Sequence, residues 1–394
     1  NTGRKIIMKK DSRVKAVISL DAVEHNFREM RKNIAEETKM IAVIKADAYG
    51  HGAVPVAHLI EDYDYIWGFA AATAEEAIHL REAGITKPIL ILGIVFDEYF
   101  PELVRYEIRP AVCEYEEARK LSDEAVLQKK TVHIHIALDT GMTRIGFADT
   151  QENVEEIKKI SELPNLEIEG MFTHFARADE YDRSPAMVQL ERYLDFSRRV
   201  EEAGVEIPLH HCSNSAGIID VPEANMDLVR AGISIYGLYP SGEVNKANVP
   251  LKPALQWVSH VAHVKWVEAG TPVSYGGTYV TDRRTKLATI PVGYGDGYPR
   301  SLSNKGYVLI KGQKAPIRGR VCMDQMMVDV TEIDDVAYED QVILVGRDGE
   351  EELPVEVLSD LSGRFNYEFV CDIGKRVPRE FYRHGEITEQ MDWF

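Results

Sequence analysis

Between residues 20 and 240 the sequence alternates short apolar runs with amphipathic segments, and this alternation restricts the chain to a few folds. Apolar runs this continuous are typical of parallel strands that are covered on both faces. Eight such strands are predicted, at 41–46, 67–71, 89–92, 109–112, 132–138, 168–172, 209–212 and 228–236. Helical periodicity predicts helices between them, at 22–34, 74–83, 115–127, 154–163 and 188–203. Eight strands with intervening helices predict an α/β chain whose N-terminal part is a (β/α)8, TIM-like barrel.

A doubly wound parallel sheet is the alternative fold for the same alternation. It would be expected to carry a GxGxxG turn after one of its strands, and no predicted strand here is followed by one.

The pattern changes after Tyr239 and Pro240, where turn residues dominate the segment 241–250. Beyond it the apolar period falls from 3.6 towards 2, first at 255–267 and then at 287–292, 307–310, 315–321, 326–330 and 341–345. This spacing predicts a mainly β second domain, either a small barrel or a sandwich. We place the barrel at 11–243 and the β domain at 244–394, and the strand-like run 14–20 could pair with either domain.

Charge and cysteine content restrict the partners and the compartment. The 394 residues carry a formal net charge of −18, with a pI near 5.2, which argues against nucleic acid and membranes as partners. The four cysteines form no CxxC pair, so a reducing cytoplasm is favoured over a disulfide framework or a zinc site. The longest apolar run, 89–96, is too short to span a membrane. Residues 1–10 lack the apolar core of a signal peptide, and Met8 is a plausible natural start.

Lys45 stands at the C-terminal end of the first predicted barrel strand, before a loop that contains Tyr49 and two glycines. The C-terminal ends of the strands build the active site of such barrels. A lysine that is desolvated there has a lowered pKa, and its free amine can form a Schiff base. A solvated lysine that merely ends the strand is the alternative interpretation.

Two further polar residues follow predicted strands. Arg144 lies in the loop after Asp139 and could bind an anionic ligand, although a loop ion pair is the alternative. His174 follows the strand 168–172 and could equally be a structural histidine. The pair His133 and His135 has no third ligand at a suitable spacing, so we predict no metal site and place both inside the barrel or in its lower layer.

The loops after the seventh and eighth predicted strands suit a phosphate group. Asn214 and Ser215 open a short predicted helix, and Gly232 and Ile233 offer backbone N–H groups directly after Arg230 and Ala231. Barrel enzymes frequently bind phosphate with these two loops.

Two tyrosines of the β domain are flanked by glycines, which permit a close approach of the backbone. Tyr275 precedes two glycines, and Tyr294 lies between two. A turn with a packed aromatic ring is the simpler interpretation of each tyrosine taken alone.

Taken in order, these fragments resemble the alanine racemase family over nearly the whole chain. The matching motifs are VIKADAYGHG at 43–52, DTGMTR at 139–144, THFA at 173–176, SNSA at 213–216, VRAGI at 229–233, SYGGTY at 274–279, GY at 293–294, RVCMDQ at 320–325 and RVPR at 376–379. The resemblance implies a homodimer that shares its active sites, depends on pyridoxal 5′-phosphate and interconverts L- and D-alanine. Such an enzyme supplies D-alanine for cell-wall peptidoglycan.

The resemblance also implies a role for each matching residue. Lys45 would hold the cofactor and act as one of two catalytic bases, and Tyr275 of a second subunit would be the other. Arg230 would face the pyridine nitrogen, Arg144 the phenolic oxygen and the substrate, and His174 would support Arg230 and Tyr275. The residues implied in phosphate binding are Tyr49, Asn214, Ser215, Gly232 and Ile233. The residues implied at the substrate pocket and its entrance, again from the second subunit, are Tyr275, Tyr294, Met323 and Asp324.

Two positions depart from the family pattern. Many members carry, two residues before the strand-end aspartate, a lysine whose carbamate positions the arginine, whereas this chain has Ala137. Many members also have a tyrosine directly before RVPR, where this chain has Lys375, which could pair with phosphate. A preference for serine or another small amino acid is therefore an alternative. A barrel-fold decarboxylase and a pyridoxal-phosphate carrier protein are alternatives of other classes, although neither accounts for both Arg230 and Tyr275.

Overall fold

The computed structural model describes residues 13–393, so the predicted start at Met8 and the predicted domain start at residue 11 lie outside it. The described chain divides into two compact units. The barrel unit comprises Ala22–Ala48 and Ala53–Lys252, and the β unit comprises the described residues before Ala22, Tyr49–Gly52 and the described residues after Lys252. The predicted boundary at 243/244 falls within the segment 237–254, which joins the last barrel strand and its 3-10 turn to the first long strand that follows.

Strand β1 (Val14–Ser19) opens the described chain, and the barrel unit then contributes nine strands. They are β2 (Lys39–Val43), β3 (Ile66–Ala71), β4 (Ile89–Ile91), β5 (Arg109–Val112), β6 (Val132–Asp139), β7 (Phe147–Ala148), β8 (Leu166–Phe172), β9 (Leu209–His211) and β10 (Leu228–Ala231). All eight predicted strands are present and pair in parallel in the order β10-β2-β3-β4-β5-β6-β8-β9. The result is a nearly closed barrel with its seam between β9 and β10, which confirms the predicted fold.

Helices alternate with these strands, and all five predicted helices are present. Their bounds are α1 (Leu20–Lys32), α2 (Ala53–Ile60), α3 (Ala74–Glu82), α4 (Phe100–Tyr106), α5 (Tyr115–Gln128), α6 (Gln151–Ser161), α7 (Ser184–Glu202) and α8 (Ser215–Asp220). Thr73 caps helix α3, because its side chain accepts a hydrogen bond from the backbone N–H of Glu76. Among the described residues, no helix is long and apolar enough to cross a bilayer.

Two predicted strands end earlier than expected. Strand β2 ends at Val43, not at Ala46, because the chain turns into a left-handed segment at Ala46 with φ of 50°. Strand β10 ends at Ala231, and residues Ile233–Tyr236 form a 3-10 turn instead of continuing the strand to 236. Ile233–Tyr236 is apolar and buried, so periodicity alone does not distinguish this turn from a buried strand. After β2 the predicted strand continues past Lys45, although the turn sequence Lys-Ala-Asp-Ala-Tyr is not continuously apolar.

The β unit is mainly β, as predicted, and adds two helices after residue 354. Its remaining strands are β11 (Leu255–His260), β12 (His263–Val267), β13 (Pro272–Val273), β14 (Tyr279–Val280), β15 (Thr285–Ile290), β16 (Tyr307–Ile310), β17 (Gln313–Pro316), β18 (Met326–Asp329), β19 (Gln341–Asp348), β20 (Glu351–Leu353), β21 (Arg379–Arg383) and β22 (Glu386–Met391). The helices are α9 (Val355–Ser362) and α10 (Asn366–Cys371). The predicted strand 315–321 is too long, because β17 ends at Pro316 and Ile317 forms only an isolated antiparallel bridge to Val328.

Strand β1 belongs to the main sheet of this unit, which has the order β17-β16-β19-β11-β1-β21-β22. It pairs antiparallel with β11 and parallel with β21, so the first described strand lies inside the sheet. Its side chains alternate between buried and half-buried, as a strand with one core face requires. Trp257 on β11 is fully buried and packs against Tyr298 and Phe369 with ring centroids 5.7 and 6.4 Å away.

Candidate active site

A cavity of about 220 Å³ opens in the barrel unit where the strands end. It is lined by Lys45, Ala72, Leu92, Gly93, Ala137, Leu138, Met142, Arg144, Ile145, Phe172, His174 and Arg230. Four of the residues singled out in the sequence therefore come together here, namely Lys45, Arg144, His174 and Arg230. The departure at Ala137 also lies on this wall, where its buried methyl group packs with Ala111 and Phe172.

Lys45 begins a left-handed turn that is built without glycine. Residues 46–49 all have φ between 50° and 54°, a conformation that costs roughly 1–2 kcal/mol for each non-glycine residue. The Glu76 carboxylate compensates by accepting the backbone N–H of Ala46 at 2.7 Å and that of Ala72 at 2.8 Å. The hydroxyl of Tyr236 donates to the carbonyl of Val43 at 3.0 Å and fixes the end of β2. The turn therefore presents Lys45 to the cavity from an anchored strand end.

The cavity is strongly positive. Lys45, Arg144 and Arg230 line it, and among its described lining residues there is no carboxylate. Burial and the neighbouring Arg230, Arg144 and Lys45 lower the pKa of His174 to about 3, so its imidazole is neutral near pH 7. Such a cavity suits a ligand that carries negative charge.

Arg230 is buried, and both terminal nitrogens of its guanidinium donate hydrogen bonds within the protein. Nη1 donates to Nδ1 and to the carbonyl of His211 at 2.9 and 2.8 Å. Nη2 donates to the carbonyls of Thr173 and Cys212 at 2.8 and 2.9 Å and lies 3.4 Å from Nδ1 of His174. Burial lowers the pKa of Arg230 to about 10, which still leaves it charged at neutral pH. Of the five N–H donors, the one on Nε has no hydrogen-bond partner within residues 13–393.

The two predicted phosphate loops meet in the barrel unit. Asn214 caps α8 by accepting the N–H of Gly217 at 3.0 Å. Ser215 Oγ accepts the N–H groups of Gly232 and Ser234 at 2.9 and 3.4 Å, which brings the loop after β9 against the loop after β10. In the same loops, the hydroxyls of Ser213 and Ser234 are buried without a hydrogen-bond partner in the described chain. Ile233 is also buried and follows Gly232 directly.

Tyr49 lies in the β unit, close to a tyrosine that the sequence motifs did not indicate. Its ring centroid is 5.9 Å from that of Tyr367 on α10, which in turn stacks on Phe365 at 4.5 Å. Gly50 allows this approach, because a Cβ there would lie 2.2 Å from the carbonyl oxygen of Val370. Tyr367 lies in no matching motif and is not flanked by glycine, so the sequence does not indicate it. Only the packing of α10 shows that it is a neighbour of Tyr49.

An open groove of about 740 Å³ in the β unit collects the residues expected to act in the other subunit. It is lined by Ser274, Tyr275, Gly276, Cys322, Met323, Asp324, Gln325 and Met327. The side chain of Tyr275 is 71% exposed and that of Met323 is 52% exposed, which is unusual for large apolar surfaces. Tyr294 is also exposed but lies outside this lining; its N–H donates to the carbonyl of Cys322 at 3.0 Å.

A cluster of ion pairs around the buried carboxylate of Asp296 adjoins the groove. Arg376 contacts Asp324 at 2.8 Å and also Asp296 at 3.0 Å, and the Asp296 side chain is fully buried. Asp296 accepts a further ion pair from Arg13. Sequence reasoning missed Arg13, Asp296 and the role of Arg376, because these contacts join residues that are distant in the chain. Lys375, next to Arg376, is exposed and lines neither of the two cavities.

The eight-stranded barrel carries a lysine, two arginines and two phosphate-suited loops at its mouth, and a β unit follows it in the chain. These features are typical of the class of barrel enzymes that bind an anionic cofactor. Comparison with known proteins makes the class specific. Residues 18–240 match the family model "Alanine racemase, N-terminal domain", and residues 254–381 match "Alanine racemase, C-terminal domain". The chain belongs to the alanine racemase family.

Individual relatives agree along the full chain. The alanine racemase of Clostridium tetani is 44% identical over 95% of this chain and 96% of that one. The structure of the alanine racemase of Clostridium difficile 630 superposes with a TM-score of 0.94 at 40% identity, covering 98% of this chain and all of that one. The alanine racemase of Bartonella henselae, solved with covalently bound pyridoxal phosphate, has a TM-score of 0.83 at 29% identity, over 94% of this chain and all of that one. The family depends on pyridoxal phosphate.

Proposed function

We propose that this protein is an alanine racemase that binds pyridoxal 5′-phosphate at the barrel mouth and interconverts L- and D-alanine. The observation that carries the proposal is the single cavity that Lys45, Arg144, His174 and Arg230 share. Family membership over the whole chain supports the same activity.

The residues present fit the cofactor. The Nε–H of Arg230 is an unused donor at the cavity wall and suits an unprotonated ring nitrogen as its acceptor. The loops after β9 and β10 suit the phosphate. They contain the buried hydroxyls of Ser213 and Ser234, and they are joined by the hydrogen bond from Gly232 to Ser215. Lys45 would hold the cofactor covalently through its amine, and Arg144 would face the phenolic oxygen. Once bound, pyridoxal phosphate supplies an electron sink for the negative charge that forms at the substrate's α-carbon.

Racemisation needs a proton to leave one face of the α-carbon and another to arrive at the opposite face. The amine of Lys45 would exchange the proton on one face, and the phenol of Tyr275 would exchange it on the other. Arg144, which has no carboxylate near it among the described residues that line the cavity, would also attract the substrate carboxylate. His174 stays neutral and can accept a hydrogen bond from Arg230 without adding charge.

The location of Tyr275 favours a dimer with shared active sites. Lys45 lines the cavity of the barrel unit, whereas Tyr275, Met323 and Asp324 line the groove of the β unit. A second copy of the chain would place its Tyr275 over the first copy's Lys45 and exclude water from the substrate. The exposed side chains of Tyr275 and Met323 support this arrangement.

The test uses purified, cofactor-loaded protein in heavy water with L-alanine, D-alanine and L-serine. We expect L- and D-alanine to reach the same mixture by chiral chromatography, with deuterium at the α-carbon and no carbon dioxide release. Lys45→Ala should abolish the exchange, because it removes both the covalent anchor and one base. Carbon dioxide release would indicate a decarboxylase, and absence of α-exchange would indicate a carrier. Faster turnover of serine than alanine would contradict the proposed substrate.

A further inference from the structure

A chain of side-chain hydrogen bonds runs beneath Arg230 through the interior of the barrel. Arg230 Nη1 lies 2.9 Å from His211 Nδ1, and His211 Nε2 lies 2.8 Å from His135 Nδ1. His135 Nε2 lies 3.1 Å from Oε2 of Glu169. Arg109 closes the chain with two contacts to the Glu169 carboxylate, at 2.7 and 3.2 Å. The chain thus connects the cavity wall to a carboxylate on β8.

The direction of every link follows from the chemistry of its ends. A guanidinium has only donors, so Nδ1 of His211 must accept from Arg230 and its proton must be on Nε2. His211 then donates to Nδ1 of His135, whose proton is also on Nε2 and is donated to Glu169. The carboxylate only accepts. Each ring is therefore held as the neutral Nε2–H tautomer.

Burial and charge support this assignment. The side chains of His135 and His211 are fully buried, and burial lowers the pKa of both rings. Burial opposes the ionisation of Glu169, but hydrogen bonds from His135 and Arg109 outweigh it and hold the pKa of Glu169 at about 2. The far end of the chain is therefore an anion while both rings stay neutral.

We propose that Glu169 is a positioning residue for Arg230, acting through His135 and His211. By fixing the proton on Nε2 of both rings, it leaves the His211 lone pair to accept from Nη1 and the Nε–H of Arg230 to face the ligand. If both rings carried the proton on Nδ1, the Nδ1–H of His211 would face an N–H of Arg230 Nη1. The guanidinium would then lose one of its hydrogen-bond acceptors. The link from Arg230 to the cofactor ring rests on the proposed function, whereas the tautomer assignment does not.

The first experiment reads the tautomers directly, by ¹⁵N NMR of histidine-labelled protein without cofactor. We expect two non-titrating rings with the proton on Nε2 in the wild-type protein. Detection of an Nδ1–H tautomer or of a charged ring at His135 or His211 would overturn the proposal. This measurement does not depend on whether the protein racemises alanine.

The second experiment removes the acceptor by Glu169→Leu. Oε2 of Glu169 accepts from both Arg109 and His135, so an amide oxygen could replace it, whereas an apolar side chain leaves the Nε2–H of His135 without an acceptor and beside the donor-only guanidinium of Arg109. We expect an Nδ1–H tautomer to be detected at His135 or His211, and the Kd for pyridoxal phosphate, titrated by absorbance, to rise by about tenfold. Rings that keep only the Nε2–H tautomer, or altered tautomers with an unchanged Kd, would contradict the role of Glu169.

Glu167→Leu is the matched control. Glu167 contacts His133 at 3.3 Å on the same two strands, but its side chain is 64% exposed and lies outside the chain to Arg230. We expect its Kd to stay within about twofold of the wild type. Arg109→Met keeps the carboxylate and should keep both tautomers, which provides a second test should Glu169→Leu fail to fold. Reversed tautomers in Arg109→Met would count against the proposal.

Discussion

Single residues decide the charge of the cavity, and the sequence identifies some of them better than others. Lys45, Arg144 and His174 each follow a barrel strand within a motif, and Arg230 lies near the end of β10 within another, so their meeting at the mouth was predictable. Tyr367 and Asp296 lie outside the matching motifs. Their contacts with Tyr49 and Arg376 join distant parts of the chain, so the sequence does not indicate them. The neutrality of His174 likewise depends on burial and on three cations that only the fold brings together.

The buried carboxylate of Glu117 on α5 should make the stability of the protein depend on pH. Its Oε2 accepts the N–H of Cys113 at 3.0 Å, while Oε1 is buried without a partner in the described structure. Burial raises the pKa of Glu117 from 4.5 to about 7. Well below pH 4.5 the group is protonated in both states. Between pH 4.5 and 7 the unfolded state loses this proton before the folded state does, so the free energy of unfolding falls by up to about 3 kcal/mol over this range.

Glu117→Gln should remove this pH dependence, since the amide oxygen can still accept from Cys113. We expect urea denaturation to give equal stabilities near pH 4.5 and a more stable variant at pH 8. Glu114→Gln, at an exposed carboxylate three residues earlier, is the control and should follow the wild type. A stability difference between Glu117→Gln and wild type that is the same at both pH values would contradict the raised pKa.

Among the elements, the barrel strands were predictable and the turns were not. Continuous apolar runs locate the eight strands, but the 3-10 turn after β10 has an equally apolar sequence, and the left-handed turn at Lys45–Tyr49 contains no glycine that would indicate it. The place of β1 was also open, because an alternating strand fits either sheet and its pairing with β11 and β21 is non-local. Short strands such as β13 and β20 lack enough residues to show a period.

The left-handed turn after β2 should depend on Glu76 for its stability. The Glu76 carboxylate accepts hydrogen bonds from two backbone N–H groups, one of which belongs to the strained left-handed segment. Glu76→Ala should therefore lower the free energy of unfolding by about 1–3 kcal/mol. It should also displace Lys45, so the variant should retain less cofactor absorbance after gel filtration. Glu75→Ala is the control, since the Glu75 carboxylate accepts from the Tyr99 hydroxyl instead of the turn. Equal cofactor retention in the two variants would show that Glu76 does not position Lys45.

At the scale of the whole molecule, the chemistry is divided between two units. The cavity of the barrel unit holds Lys45, and the groove of the β unit holds Tyr275. Each feature alone is incomplete for a reaction that needs a base on each face of the substrate. An enzyme divided in this way is expected to form a closed, symmetric dimer in which each copy completes the other's site.

Mixed dimers test this division. Lys45→Ala and Tyr275→Phe should each be nearly inactive alone, because each removes one of the two bases from every site. After subunit exchange, half of the dimers contain one copy of each variant, and such a dimer has one site with both Lys45 and Tyr275 intact. The equimolar mixture should therefore recover about a quarter of the wild-type rate. The double variant Lys45→Ala/Tyr275→Phe mixed with either single variant should recover nothing, because none of those dimers contains an intact site. If Lys45 and Tyr275 acted within one copy of the chain, the mixture of single variants would stay as inactive as its components.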